Sequence, residues 1–395
     1  MLVIQKYGGA TLATPEKIKQ VALRIAGLKK SGHSIVAVVS AMGQTTNQLS
    51  ALAHQVSANP SLRELDMLLS VGERTSMALL TMALNDLGCE AISFTGSQAG
   101  ILTDQSHINA NIIDVKAFRV SEALAKNKVV ILAGFQGVSP ITKEITTLGR
   151  GGSDTTAVAM AAYLNAEHCE ILKDVDSIFT ADPKTVPDAK PIRNLNFYQL
   201  LEMTTSGAKV LHYKSVEMAK NKNVKLYVGP ASEQKSQGTW VDSSFISEKN
   251  IPLAMNSHSK ILEVLVSDGE AKSAENIFLK SLADHQIGCP QILKSEAKKF
   301  STKFLICGPT EILSAIERKE FSSRKMQIQN LNFCSVCLTM STAMTADIQK
   351  QIEQKLTAEN IQIADQIISP LSLNLILNHD QKNQALSILH SLITN

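Results

Sequence analysis

The residues from Thr147 to Pro183 read TLGRGGSDTTAVAMAAYLNAEHCEILKDVDSIFTADP and hold the densest chemistry in the chain. Gly149, Gly151 and Gly152 surround Arg150 in a loop that few other residues could trace, because glycine alone visits positive φ freely. Ser153 and Asp154 are helix-capping types, and Ala157 to Asn165 reads as an Ala-rich helix. Cys169 to Leu172 is a short apolar strand, followed by a loop with Asp174, Asp176 and Asp182. A Gly-rich loop that opens a helix aims unpaired backbone N–H groups at one point, where the helix dipole adds partial positive charge. Arg150 adds a full, fork-shaped charge beside it. The aspartates are of a type that holds Mg²⁺ or orients a substrate ammonium. The set suits the binding of an anion.

A second set of polar residues must be positioned by strands. Val3 to Gln5 is a short strand that runs into Lys6-Tyr7-Gly8-Gly9-Ala10-Thr11. Thr14 and Pro15 start a helix whose apolar residues Ile18, Val21, Ala22, Ile25 and Leu28 recur at helical spacing, with Gly32 as its stop. Ile35 to Val39 is a continuous apolar strand of the buried parallel kind, ending in Ser40 with Thr45 beyond. Ligands of open α/β sheets bind at the carboxyl ends of strands, which puts Lys6, Gly8, Gly9, Ser40 and Thr45 on one rim. G-x-x-x-x-G-K-[ST] is absent, so this is no Walker P-loop. By residue type alone Lys6 reads as a solvated strand-end lysine, and Glu73, beside Gly72, as a surface glutamate.

At 395 residues the chain should hold two or three domains. A composition of 44% hydrophobic and 19% charged residues is that of a globular protein. A net charge of +3 argues against a nucleic-acid footprint and against a membrane surface. No apolar run is long enough to span a bilayer, and the start MLVIQKYGG lacks a signal-peptide layout, so the expected location is the cytoplasm. The six cysteines are too sparse for a disulfide scaffold. Cys334 and Cys337 lie in a strand-like run, where residues three apart face opposite sides, so they read as core residues.

Leu65 to Leu87 reads as mostly helical, Ala91 to Phe94 as a strand, Lys116 to Asn127 as a helix and Val129 to Ala133 as a buried strand. With the strand Lys225 to Val228, this alternation implies one large α/β domain, bounded near the polar loop Ala231 to Gly238. Beyond it the texture changes. Ile261 to Val266, Ser273 to His285, Phe304 to Cys307 and Glu311 to Lys319 alternate as strand, helix, strand, helix. Cys334 to Met340, Ala346 to Glu359, Ile363 to Ile368, Leu371 to Leu377 and Gln381 to Leu392 form a weak second copy, which indicates a repeated small α+β module.

Seven separated blocks resemble aspartokinase in order: KYGG, VVSAMGQTTNQL, SVGERTSMALL, GFQG, TTLGRGGSDTTAVAMAAYLNAEHCEI, KDVDSIFTADPKTVPDAKPI and TTSGAKVLHYKSVEMAKNKNV. They cover roughly residues 2 to 242. The resemblance implies an α/β amino-acid-kinase domain over residues 1–242 with a mainly parallel central sheet. Two ACT-like, ferredoxin-like modules would follow over 243–325 and 326–395, with interleaving boundaries. It implies transfer of the γ-phosphoryl of MgATP to the side-chain carboxylate of L-aspartate, the entry to lysine, threonine, methionine and diaminopimelate. Lys6, Gly8 and Gly9 would hold the transferring phosphate, and Ser40 and Thr45 would touch phosphate or aspartate. Glu73 would bind the substrate ammonium and Arg150 its α-carboxylate, with Ser153 and Asp154 beside the γ-phosphate and Mg²⁺. Lys173, Asp174, Phe179, Thr180, Asp182 and Lys184 would line the nucleotide pocket, and Lys209 would reach the phosphates. A homodimer through the ACT-like modules and an amino-acid effector are further implications.

Three departures stand out. Ala10 replaces a hydroxyl residue of the first motif, although Thr11 follows it. Lys173 stands where Thr or Ser is usual, and Ser177 replaces a Gly. The loops Ser267 to Lys272 and Ser341 to Thr345 lack the Pro-Gly of family effector loops. These departures keep two alternatives open: a weakly active or non-catalytic regulatory paralogue, and a sister kinase of the superfamily.

Overall fold

The computed structural model describes every residue except 233–236, 285–286, 288, 309, 319–320, 322–324 and 395. The expected helix ends at His285 and Lys319, and part of the loop from Ala231 to Gly238, lie outside the described residues. The chain divides into two compact units. The first is Met1–Ile178, Pro191–Leu200 and Val210–Ile246, and the second is Phe179–Lys190, Leu201–Lys209 and Ser247–Asn395.

The first unit is built on a sheet of eight strands. At its centre Leu2–Tyr7 pairs in parallel with Ser34–Val39 on one side and His168–Lys173 on the other. Val129–Ala133 and Ala91–Phe94 extend the first side in parallel, and Leu226–Pro230 extends the second. Thr239–Val241 then runs antiparallel at the far side. Strands covered on both faces need apolar residues at every position, which is why Ser34–Val39 and Val129–Ala133 show no alternation. Gln5 is a buried exception, and it is satisfied by donating to Glu170 Oε2 at 2.7 Å and accepting from Tyr7 Oη at 3.0 Å. Thr14 caps the helix Pro15–Lys30 by accepting from the Lys17 amide. That helix and the helix Val71–Asp86 bury Ile25, Val21, Leu80 and Leu84 against one face of the sheet.

Where one helix is expected from Leu65 to Leu87, the chain forms Leu62–Leu69 and Val71–Asp86 with a break at Ser70. The Ser70 hydroxyl donates to the Met67 carbonyl, and the Ser70 carbonyl accepts from Gln136 Nε2 at 2.9 Å. A side chain from another strand thus occupies a carbonyl at the break. A further four-stranded sheet of Ile112–Val115, Ile101–Thr103, Gln136–Val138 and Ile145–Thr147 is not legible in the sequence, because strands of three or four residues carry no readable period.

The second unit holds two four-stranded sheets whose strands interleave along the chain. One consists of Gln291–Lys298, Ser301–Cys307, Leu262–Val266 and Met326–Asn330, and packs Phe278, Phe304 and Phe321 into its core. The other consists of Pro252–His258, Phe333–Met340, Ser372–Asn378 and Ile363–Ile368, backed by the helices Ala346–Ala358 and Lys382–Thr394. A cut at 325/326 would part Met326–Asn330 from Leu262–Val266, its ladder partner. Within the expected span 1–242, Phe179–Lys190 and Leu201–Lys209 group with the second unit. The reason is apolar burial, since Ala181 and Val186 lie in one core with Met340, Leu373 and Leu389. Cys334 and Cys337 are fully buried, and desolvation raises both thiols to about 11, as befits core residues.

Trp240, the single tryptophan, packs edge-on to His168 in the first unit and reports on its unfolding. Leu80→Ala should destabilise that unit by ~2–5 kcal/mol through the cavity it leaves. A lower urea midpoint in Trp240 fluorescence would register the change.

Candidate active site

Lys6 is the second-last residue of the central strand and is only 7% exposed. It is therefore not the solvated lysine that its residue type suggests. Its Nζ lies 2.7 Å from Oδ1 of Asp154, itself 4% exposed in the first turn of the helix Gly152–Tyr163. Lys173 closes the neighbouring strand, with Nζ 3.9 Å from Asp154 Oδ2 and donating to the Val210 carbonyl. Burial alone would push the Asp154 carboxyl up, but the Lys6 and Lys173 ammoniums outweigh it and hold it below its usual value. Burial lowers Lys173, with Asp154 opposing. Two cations and a helix N-terminus around one carboxylate leave a net positive well at the carboxyl ends of two adjacent parallel strands.

The glycine turn after Lys6 is fixed by close approach. A Cβ on Gly9 would come within 2.8 Å of the Ala41 carbonyl, and the Gly9 carbonyl accepts from Gly43 N. The turn therefore docks onto the loop that holds half-buried Ser40 and Thr45. Thr45 opens the helix Thr45–Val56 and donates to the Met42 carbonyl at 2.7 Å. Gly8 donates to Leu172, tying the turn to the strand that carries Lys173. Ala10 is exposed, and the neighbouring Thr11 hydroxyl donates to the Gly8 carbonyl inside the turn. Ser177 is buried.

Glu73 is 3% exposed, a correction to the surface residue suggested by its type. Its Oε1 accepts from the Ala41 amide at 3.0 Å, and its buried Oε2 has no partner among the described residues. Burial raises its carboxyl to about 7, against the pull of the Ala41 amide and of Lys6. Gly72 beside it packs on the Ala41 methyl, where a Cβ would come within 2.7 Å. An unpartnered buried carboxylate is satisfied by a cationic donor from outside.

Exposed Arg150 sits between Gly149 and Gly151, whose φ of +70° and +71° only glycine adopts readily. Gly151 also lies against His212, whose Cβ would be 2.2 Å from an added Cβ. Ser153 packs under Gly134 at the end of the strand Val129–Ala133. Strand ends thus bring together Lys6, Gly8, Gly9, Ser40, Ser153, Asp154 and Lys173, with Glu73 joined through Ala41. Asp174 follows Lys173 and is exposed.

Phe179, Thr180, Asp182, Lys184 and Lys209 fall in the second unit. There the Thr180 hydroxyl hydrogen-bonds His390 Nε2 and accepts from the Lys190 amide, both at 2.9 Å. Exposed Asp182 accepts from the Lys184 amide in a tight turn, and Lys209 is exposed. Residues that the sequence reading does not single out are Asp66, His107, Thr147 and Gln136. Only the tertiary pairing gives them a role, although a lone Asp66 between Leu65 and Leu69 on an apolar helix face was a visible anomaly.

A parallel sheet whose strand ends gather lysines and glycine turns around a helix N-terminus defines an α/β enzyme of the phosphate-handling class. A model of the amino acid kinase family matches residues 1–230. The aspartokinase of Corynebacterium glutamicum is 46% identical over 303 residues, covering 74% of this chain and 70% of that protein. That of Bacillus sp. (strain MGA3) is 35% identical over 398 residues, covering 98% and 96%. The solved structure of E. coli aspartokinase III in complex with aspartate and ADP covers 100% of both chains at a TM-score of 0.82 and 21% identity, a likeness of fold. The chain belongs to the amino acid kinase family, in its aspartokinase branch.

Glu73 generates a paired prediction. An ammonium ligand needs the ionised carboxylate, so affinity for such a ligand should fall roughly tenfold from pH 8 to pH 6 in the wild type and stay flat in Glu73→Gln. Between pH 4.5 and about 7 the folded state holds a proton that the unfolded chain has lost, so this site costs stability increasingly as pH rises through that window. Glu73→Gln should therefore stabilise the free protein at pH 8, on the order of 2 kcal/mol, and by little at pH 4. Calorimetric melts at the two pH values test the sign.

Proposed function

We infer that the chain is an aspartate kinase, which transfers the γ-phosphoryl group of ATP to the side-chain carboxylate of L-aspartate and gives 4-phospho-L-aspartate. The observation that carries the phosphoryl-transfer reading is the Lys6–Asp154–Lys173 cluster at the strand ends, and family membership selects the acceptor. The attacking carboxylate is ionised at neutral pH, so no general base is needed. Its oxygen bonds to the γ-phosphorus while the bond from that phosphorus to the bridging oxygen breaks, and ADP leaves with the electron pair. The barrier lies in bringing two anions into line and neutralising the charge that develops.

Lys6 sits where a transferring phosphate would meet the glycine turn, and Lys173 supplies charge from the next strand. Gly8 and Gly9 let the backbone approach. Ser40 and Thr45 would touch phosphate or aspartate, and Ser153 would lie beside the γ-phosphate, as the family resemblance implies. Glu73 would take the aspartate ammonium and Arg150 its α-carboxylate, so that acceptors lacking either group bind poorly. Asp174, Phe179, Thr180, Asp182, Lys184 and Lys209 are assigned to the nucleotide by the family resemblance. The donor set suits Mg²⁺ carried in with ATP, because one carboxylate, Asp154, is at hand and no cluster of three or more His, Cys, Asp or Glu occurs among the described residues. Bound there, the ion would neutralise phosphate charge.

The pathway reading is the entry to lysine, threonine, methionine and diaminopimelate synthesis in the cytoplasm; among the described residues no helix is long and apolar enough to cross a membrane. The ACT-like modules are read as a homodimer interface. Their effector loops offer an amino acid little: Ser267 to Lys272 closes on itself through Asp268, which accepts from Glu270 and Ser273, and Ser341 to Thr345 has no glycine.

Aspartate-dependent ADP release from MgATP tests the reading. Turnover with L-aspartate and little with L-glutamate is expected, with a weak response to added lysine or threonine. Nucleotide binding without turnover would overturn it. Lys6→Ala should lower kcat by ~100-fold or more while changing nucleotide affinity far less, because its charge matters most at the transferring phosphate. Equal losses in both would remove Lys6 from that role.

A further inference from the structure

An enzyme that reads an amino acid by both its charged ends must hold the two readers at a set separation. Glu73 lies on the helix Val71–Asp86, and Arg150 follows the strand Ile145–Thr147 in a glycine loop. Nothing in the phosphate cluster spans these two elements. Asp66 does. It sits on the helix Leu62–Leu69, one bend before the helix of Glu73, and its side chain is wholly buried.

Each oxygen of Asp66 is engaged. Oδ1 accepts from the Thr147 hydroxyl at 2.5 Å and from the Ile108 amide at 3.0 Å. Oδ2 pairs with His107 Nδ1 at 2.6 Å. The Thr147 carbonyl in turn accepts from Ala110 N at 2.9 Å. One carboxylate therefore gathers a helix, the turn around His107 and Ile108, and the strand residue three before Arg150. The same turn supports the glycine loop, since a Cβ on Gly149 would lie 2.8 Å from Asn109 Oδ1 and 3.1 Å from the Ile108 carbonyl.

On the other side the bend at Ser70 is locked. Gln136 Nε2 donates to the Ser70 carbonyl, and Arg74, next to Glu73, donates through Nε to Gln136 Oε1 at 3.3 Å. Gln136 is also the ladder partner of Thr147, so the path from Glu73 to the Arg150 loop runs through directional bonds on both sides of the bend, with Asp66 as its side-chain crossbar. A buried carboxylate is costly unless every lone pair is used. An apolar residue would fill the position with less desolvation, so the carboxylate is there for the geometry it imposes.

We propose that Asp66 is the positioning residue that sets the spacing between Glu73 and the Arg150 loop, and so governs affinity for the amino-acid substrate without touching it. The proposal rests on the aspartate kinase reading for the roles of Glu73 and Arg150. It predicts a selective effect. Thr147→Val removes the hydroxyl that donates to Oδ1, and Asp66→Asn puts an amide donor in place of one of the two accepting oxygens and removes the charge, each with little change of volume. Each should weaken L-aspartate about tenfold or more, in KM and in calorimetric Kd measured with ADP present, while KM for MgATP stays within about twofold. Thr147→Ser keeps the hydroxyl and should restore near wild-type values. The double variant Asp66→Asn, Thr147→Val should be little worse than either single one, as residues acting through one hydrogen-bonded network require.

Aspartate affinity unchanged in Thr147→Val, or aspartate and nucleotide affinities lost together, would overturn the inference in favour of a plain structural staple. Thr147→Val carries the test if Asp66→Asn fails to fold. A wild-type protein that binds L-aspartate without turning it over would sink the kinase reaction alone, and the binding comparison would still decide the role of Asp66. A wild-type protein that binds no L-aspartate would overturn both.

Discussion

Buried Lys6 and half-buried Lys173 share one aspartate at the mouth of the central sheet, and the first unit is arranged to make that arrangement tolerable. Asp154 could not remain ionised at 4% exposure without Lys6 and Lys173. The pair needs a parallel sheet, so that neighbouring strands end on the same side, and a helix whose first turn returns to that point. The glycine turn, the Gly151 cap and the packing of Gly134 on Ser153 are the steric conditions for the return. A positive well surplus to internal pairing is what a polyphosphate requires and what a self-sufficient core would avoid.

Glu73 shows the same compromise from the acidic side. A carboxylate with one oxygen on a backbone amide and the other without a partner is a liability in the free protein. It is useful only when a cation arrives from outside. Under the proposed ammonium role, stability and recognition are opposed at this residue, as is common where binding groups are held in place before the ligand comes. The crossbar through Asp66 fits this picture, because a pre-set pair of readers loses its advantage if the elements that carry them can drift apart.

The second unit solves a different problem. Each four-stranded sheet needs a strand that the linear order of the chain does not place next to it, so Pro252–His258 joins the later sheet and Met326–Asn330 the earlier one. The interleaving ties the two modules into one compact unit. The segment Phe179–Lys190 joins that body through Ala181 and Val186, so part of the stretch that resembles a nucleotide loop is anchored in the core of the second unit.

Much of this was legible in the amino-acid sequence. Continuous apolar runs identified the strands Ser34–Val39 and Val129–Ala133, a threonine followed by proline marked the start of the helix at Pro15, and the glycine-flanked Arg150 marked the loop that opens the helix Gly152–Tyr163. These are local signals, carried by a residue's own φ preference or by a period within one element. Residue types could not say that Lys6 and Glu73 are buried, because burial belongs to the neighbours that the fold supplies. Nor could they reveal the strands of three or four residues, the break at Ser70 or the role of Asp66. Each of those depends on a partner tens of residues away, and hydrogen bonds between distant segments leave no period in a sequence. The sequence by itself determined which residues could do the chemistry and the order of the main elements. Only the tertiary structure decided which charges lose their water and which partners they meet, because both follow from packing between segments.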